Sequence, residues 1–366
     1  MKRFFALLIS TIITLSAANI PKDEQTLKKM IGRMLIVGFE DESIDKNSKI
    51  TSHLQNYELG GVILFDRFYN DRNKTKNISS PEQLKALTSS LKSFSKKPLL
   101  ISVDQEGGKV ARLKPAYGFG ATPSAKVVSE MDAYMSTHVY NNLARTLNKA
   151  GINCDFAPVV DLAINPNNSV IVGLKRSYGS DSKEVVKYSK IFMSSLKEQN
   201  IISVLKHFPG HGSSLADSHQ GFVDISKTWS ETELEPYKEL IKTGDVSMIM
   251  SAHVFNSQLD KEYPATLSYK VSTKLLREKL GYRGVIVSDD MQMKAISEHY
   301  SLKQSVTLAI NAGVDMLIFG NQLATQDIDE LVNLILEQIK NGSISYERIL
   351  ESNKRVESLF GSRQIK

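Results

Sequence analysis

Lys206-His207-Phe208-Pro209-Gly210-His211-Gly212, followed by Asp217-Ser218-His219, places one lysine, three histidines and an aspartate within 14 residues. Amines, imidazoles and carboxylates this close suit proton transfer or metal ligation. Pro209, Gly210 and Gly212 prevent a regular helix there. The preceding Ile201-Ile202-Ser203-Val204-Leu205 is short, apolar and β-branched, and reads as a buried strand. The polar cluster therefore sits where a strand gives way to a loop, which is where barrel enzymes carry their catalytic residues.

His207, His211 and His219 invite a metal reading. The i,i+4 pair of His207 and His211 cannot share a helix face across Pro209-Gly210, and the first strand ends Gly38-Phe39-Glu40 without the H-x-H of metal-dependent barrel hydrolases. No metal and no other cofactor is expected. Asp217 and His219 lie two residues apart. A carboxylate beside an imidazole fixes its tautomer and favours the protonated form. His219, with an unperturbed pKa of about 6.5, then serves as a general acid; a hydrogen bond that only stabilises the loop accounts for the pair equally well.

Other strand ends are polar too. The third carries Asp104-Gln105-Glu106-Gly107-Gly108, with Arg112 shortly after. The fourth ends in Asp161, with Arg176 in the loop beyond; the sixth gives His253 and the seventh Asp289-Asp290. A single polar strand end means little, but a succession of them defines a ring around one mouth. Of the two aspartates, one points into the mouth and the other away. Asp289 is the candidate functional carboxylate, and Asp290 is expected to cap the helix starting at Met291. Arg112, Arg176 and Lys206 offer donors and Asp104 an acceptor, a combination that suits a sugar, whose hydroxyls need both.

The elements that must hold these residues are legible in the hydrophobic pattern. Eight short apolar runs occur at 34–39, 61–65, 99–103, 154–160, 202–205, 248–252, 285–288 and 316–319. They lack polar alternation, as strands buried on both faces do. Helical patterns lie between them. Met131, Met135, Val139, Leu143 and Leu147 predict one apolar helix face. Ser80-Pro81-Glu82-Gln83 and Ser230-Glu231-Thr232-Glu233 read as capping boxes. Gly151, Asn200, Gly244, Gly281 and Gly313 each follow a helical pattern and precede a strand, the place of a left-handed C-cap. Eight strands alternating with helices predict an α/β fold, a single (β/α)₈ barrel; an open doubly wound sheet is the alternative, without a G-x-G-x-x-G to make it dinucleotide-binding. After Phe319 come two helical patterns, around 328–339 and 346–359, and no room for a second sizeable domain.

The chain has 366 residues and a net charge of +6, of which Lys2 and Arg3 supply two. No dense basic stripe interleaved with aromatics is present, so nucleic acid is not an expected partner. Residues 1–18 read as an export signal, with a basic start, an apolar run over 4–15 and Ser16-Ala17-Ala18 for cleavage. That run is short for a membrane span, and no stable span is expected once it is removed. The mature domain then covers 19–366. Cys154 is the only cysteine, which excludes an internal disulfide, and it sits in a predicted strand as a small core residue.

These residues carry a resemblance. The chain resembles the bacterial β-N-acetylglucosaminidases of glycoside hydrolase family 3 over roughly residues 28–320, above all in Lys206–Gly212 and Asp217–His219. Val103–Gly108, Arg176–Gly179, Ser251–Val254 and Ser288–Met291 add support, with Lys109 standing where an arginine is common. The resemblance implies a glycoside hydrolase, a β-N-acetylhexosaminidase, with Asp289 as nucleophile, His219 as acid/base on a mobile loop and Asp217 as its partner. It implies that Asp104, Arg112, Arg176, Lys206 and His207 bind an N-acetylglucosamine unit. The expected reaction is retaining exo-hydrolysis of terminal β-linked N-acetylglucosamine from peptidoglycan fragments, by a monomer exported to the periplasm of a Gram-negative bacterium. A β-glucosidase or a phosphorylase of the same family, or a non-catalytic periplasmic sugar-binding protein, is the alternative. Family members with β-glucosidase activity often take their acid/base from a second domain.

Overall fold

The computed structural model describes residues 23–215, 217–218 and 221–363. The predicted export signal at 1–18 and His219 lie outside these. All eight apolar runs form strands: β1 (Leu35–Val37), β2 (Gly61–Ile63), β3 (Leu100–Val103), β4 (Cys154–Asp155), β5 (Ile202–Phe208), β6 (Met248–Ser251), β7 (Val285–Asp290) and β8 (Met316–Phe319). Every neighbouring pair is parallel, and Leu35 opposite Leu317 closes the sheet into a barrel.

Successive strand residues serve opposite layers, which is why the runs are apolar without a break. Ile36, Leu100, Ile202, Val204, Met248, Met250, Val285, Val287 and Met316 fill the interior, and Cys154 is among them. Leu35, Val37, Ile101, Val103, Leu205, Ile249, Ile286 and Leu317 face the helices. The last helix, Tyr346–Arg363, closes the N-terminal end of the barrel by sending Val356, Leu359 and Phe360 into the interior cluster. Beside that plug, Asp315 is fully buried under three guanidiniums: Arg277, Arg348 at 2.8 Å and Arg355 at 3.1 Å.

The five C-cap positions all have positive φ, from 56° at Asn200 to 108° at Gly313. Ser80 accepts from the Gln83 N–H as expected, while the Gln83 side chain reaches back to the Ser79 N–H, one residue earlier than a capping box requires.

Three local expectations are corrected. Met135 is 49% exposed; the buried face of helix Ala133–Lys149 is Ser136, Tyr140, Leu143, Ala144 and Leu147. Each step of four residues overshoots a turn by about 40°, so a long i,i+4 series leaves the face it started on. Ser230 makes no capping bond to the short 3₁₀ turn Glu231–Leu234, and Glu233 is buried elsewhere. The helix expected from Met291 starts at Lys294, because β7 runs on through both aspartates. β5 continues to Phe208 and carries Lys206 and His207 at its end, where the strand-end reading places them. Backbone pairing continues past the apolar run where a polar side chain finds partners in the barrel mouth.

Candidate active site

The C-terminal ends of β3, β4 and β5 build one connected charge network. Arg112, in the loop after β3, lies 3.1 Å from Asp104 Oδ2, and Lys206 Nζ is 2.8 Å from Asp104 Oδ1. Lys206 also meets Glu106 Oε1 at 2.7 Å. Glu106 in turn grips Arg176 with both oxygens, accepting from Nε and a terminal nitrogen at 2.7 Å each. The Arg176 fork lies 3.3 Å from His207 Nε2, and His207 Nδ1 is 2.7 Å from Asp161 Oδ2. The peptide joining Lys206 to His207 is cis.

Electrostatics fix the protonation of this network. Burial alone would raise Asp104, but Lys206 and Arg112 overcome it and hold the carboxyl well below its usual range. Glu106 is lowered in the same way, burial being outweighed by Arg176 and Lys206. Lys206, only 2% exposed, would lose its proton to desolvation were it not for Asp104 and Glu106, which push its pKa up. Arg176 is raised too, Glu106 outweighing burial. The network is thus permanently ionic, and buried charges of this kind need the full set of partners. Below it, Asp155 has no cation in hydrogen-bond contact among the described residues, where it accepts only the Gln105 N–H through Oδ1; burial pushes its carboxyl up to about 8.

The network explains which groups can meet a ligand. Lys206 and Arg176 are locked by carboxylates, whereas the Asp104 and Arg112 side chains keep 18% and 22% of their surface open. The Arg112 guanidinium stands 5.5 Å from the Phe65 ring centroid. Flat and ion-paired, it gives one rim of the mouth a fixed donor.

Asp289 and Asp290 end β7, two strands beyond Lys206 around the barrel. Both are half-buried. Asp290 Oδ1 accepts from the Gln292 and Gly320 N–H groups, so Asp290 caps the turn after β7. Its carbonyl contacts His253 Nε2 at 3.0 Å, and His253 Nδ1 meets Thr266 at 2.9 Å. His253 therefore ties β6 to β7 and faces no solvent. Asp289 accepts the Asp290 N–H through Oδ1 at 2.8 Å.

The loop after β5 is held at its root. His211 and His207 donate their backbone N–H groups to Asp161 Oδ1, at 2.9 and 3.2 Å. Asn168 donates to the carbonyls of His211 and Gly212. Trp229 Nε1 donates to the Pro209 carbonyl at 3.0 Å, and Glu233 Oε2 accepts the Gly212 N–H at 2.9 Å. The Glu233 side chain packs where a Cβ on Gly210 would stand. His211 is buried among these groups, with Nδ1 2.7 Å from the Ser214 hydroxyl; burial pulls its imidazole down to about 4. It is a neutral structural residue at pH 7. Beyond it the chain crosses toward β7: the Ser218 carbonyl accepts from Ala295 N at 3.3 Å, and Phe222 packs edge-on to His299 at 5.5 Å. Among the described residues no three His, Cys, Asp or Glu side chains converge as metal ligands.

Five of the sequence-predicted residues, Asp104, Arg112, Arg176, Lys206 and His207, are thus joined in one network. Asp289 stands apart from them on β7, Asp217 lies in the crossing loop, and His219 falls outside the described residues. Sequence reasoning assigned no role to Glu106, the hub of the network, and gave Glu233 only a capping role. A buried, ionised mouth at the C-terminal end of a closed parallel barrel defines an enzyme-type site for a polar ligand.

Residues 26–359 match the glycosyl hydrolase family 3 N terminal domain. The chain belongs to this family. It is 31% identical to beta-hexosaminidase A of Pseudoalteromonas piscicida, across 94% of this chain and 62% of that protein. A beta-hexosaminidase of Tolumonas auensis is 35% identical over 74% of this chain and 78% of its own length. The structure of a glycoside hydrolase family 3 beta-N-acetylglucosaminidase from a Paenibacillus species superposes with a TM-score of 0.82 at 30% identity, covering 93% of this chain and 63% of that one. The chain therefore spans less than two thirds of two of these three relatives.

Proposed function

We propose that the chain is a retaining exo-β-N-acetylglucosaminidase. The observation that carries this reading is the division of the mouth: an ionic network on β3–β5, and a carboxylate, Asp289, across from it on β7. The network offers paired donors and acceptors to sugar hydroxyls, and Asp289 supplies a carboxylate for chemistry at the anomeric carbon. The names of the relatives, beta-hexosaminidase and beta-N-acetylglucosaminidase, favour the same substrate class.

In the first step an Asp289 oxygen attacks the anomeric carbon. The glycosidic C–O bond breaks, and the imidazolium of His219 gives its proton to the leaving oxygen. In the second step neutral His219 takes a proton from water, whose oxygen displaces Asp289 and restores the free carboxylate. Retaining enzymes commonly place two carboxylates about 5–5.5 Å apart for these roles; here a histidine takes one of them. The residues that flank 219–220 support it, because Ser218 and Phe222 both contact the segment that follows β7. Asp217 partners the imidazole. Asp104 and Arg112 meet the sugar directly, and Lys206, Arg176 and His207 complete its binding site.

Peptidoglycan fragments are the proposed natural source of the sugar, reached through export. The basic and apolar N-terminus supports export, and among the described residues no helix is long and apolar enough to cross a membrane. The deciding experiment uses a fluorinated N-acetylglucosaminide that forms a glycosyl-enzyme too slow to hydrolyse, followed by peptide mapping. The label is expected on the peptide containing Asp289. Labelling elsewhere, or full activity in Asp289→Ala, refutes the assignment. Running the assay with added phosphate and looking for sugar 1-phosphate tests hydrolysis against phosphorolysis.

A further inference from the structure

At the opposite end of the barrel from the mouth, a cleft of about 520 Å³ opens between the loops leading into β6 and β7 and the last helix. Its lining includes three cations, Arg283, Lys354 and Arg355, and no acidic residue. Tyr282, Val246 and Leu359 supply an apolar wall. Val285 lines the cleft as the first residue of β7, and Asp289 is four residues further along the same strand, roughly 13 Å away. A ligand held here does not compete with one in the mouth.

The positive charge of this cleft is not neutralised from within. Behind it, Arg277, Arg348 and Arg355 share the single carboxylate of Asp315. Burial pulls the Arg277 guanidinium down, Asp315 opposes it, and Arg355 and Arg348 add smaller pushes toward the neutral form. Glu351 offsets part of this, at 3.2 Å from Arg348 and 3.8 Å from Arg355, but its side chain is 58% exposed. Other acids near in sequence are engaged elsewhere, Asp245 with Lys197 and Glu357 with Arg33. Among the described residues Arg283 and Lys354 have no ion-pair partner. A cleft lined by three cations and apolar side chains, with no acidic residue in its lining, favours an anion with several oxygens, which guanidinium forks and an ammonium bind well.

We infer that this cleft is a binding site for a phosphate-type oxyanion, separate from the active site. Arg283 and Lys354 close on the anion from the two lips, and Arg355 meets it from the floor. Both lip residues are exposed, so their replacement leaves the core untouched.

Inorganic phosphate is titrated into the purified chain by calorimetry at constant ionic strength, with N-acetylglucosamine saturating the mouth. One saturable site is expected, with affinity at least tenfold weaker in R283A/K354A and hydrolysis of an aryl N-acetylglucosaminide unchanged in that variant. Absence of saturable binding in the parent, equal binding in the double variant, or loss of binding when N-acetylglucosamine is present each overturns the inference. None of these outcomes depends on whether Asp289 is the nucleophile.

Discussion

Replacing Glu106 with glutamine should damage both the fold and the site, and the geometry gives the size of the effect. Glu106 accepts two bonds from Arg176 and one contact from Lys206, each at 2.7 Å, and its side chain is 4% exposed. Charge-assisted bonds of this kind are worth about 1.5–3 kcal/mol each. Glutamine keeps one acceptor and turns an NH₂ toward a cation. Lys206 retains Asp104, but among the described residues Arg176 keeps only His207 and at most the one remaining amide oxygen at hydrogen-bond distance. A buried cation stranded in this way costs about 3–5 kcal/mol; the nearby charges of Asp161 and Asp104 also stabilise Arg176, which argues for the lower end. Urea unfolding at pH 7 should therefore show Glu106→Gln losing about 3 kcal/mol with an unchanged slope. Arg176→Met in the same background removes the stranded charge, so the double variant should be more stable than the sum of the single losses by about 2 kcal/mol. If the two losses simply add, Glu106 and Arg176 are not the coupled pair the network requires, and the argument that the mouth is permanently ionic fails.

Three shorter predictions concern other groups. Burial raises the Glu233 carboxyl from 4.5 to about 7, so between those values the folded state holds a proton that the unfolded chain has released. Stability should fall as pH rises through that window by up to about 3 kcal/mol; a Glu233→Gln variant should show a flatter profile in denaturation at pH 4.5, 6 and 7.5. Asp315→Ala removes the one carboxylate shared by Arg277, Arg348 and Arg355 and should cost about 3–5 kcal/mol in the same assay, with KM unchanged. His219→Ala should slow substrates with poor leaving groups most, since those need protonation; equal losses on an activated aryl glycoside and a disaccharide argue against the acid role.

The barrel was legible because its strands are buried on both faces, and an apolar run needs no partner to be recognised. The apolar runs close at Leu205 and Ser288, whereas β5 and β7 continue through the polar residues to Phe208 and Asp290, because the ladder is made by the backbone. Lys206 and His207 stay paired, and their side chains find counter-charges on β3 and β4. Glu106 escaped notice for a related reason. Its neighbours Gly107 and Gly108 mark a turn, but nothing local shows that Lys206, 100 residues later, will close on it. Glu233 is the clearest case of a local signal overridden. In sequence it completes a capping box with Ser230; in the fold the returning segment lies under the β5 loop, and the carboxylate takes the Gly212 N–H instead. Asp104, Arg112, Arg176 and Lys206, which the structure joins in one network, were singled out because several strand ends were read together.

The two ends of the barrel use the same side chains to different effect. At the mouth Arg112, Arg176 and Lys206 stand against Asp104, Glu106 and Asp161, cation for carboxylate. A balanced network exerts little net pull on charge but presents donors and acceptors at fixed positions, which is what discriminates among neutral hydroxyls. At the closed end Arg277, Arg348 and Arg355 outnumber Asp315, and Arg283 and Lys354 add to the excess at the surface. A neutral sugar gains nothing from such an imbalance, whereas an oxyanion removes it. On the two proposals above, the ratio of cations to carboxylates is what separates the ligand classes of the two ends, uncharged sugar at one and anion at the other.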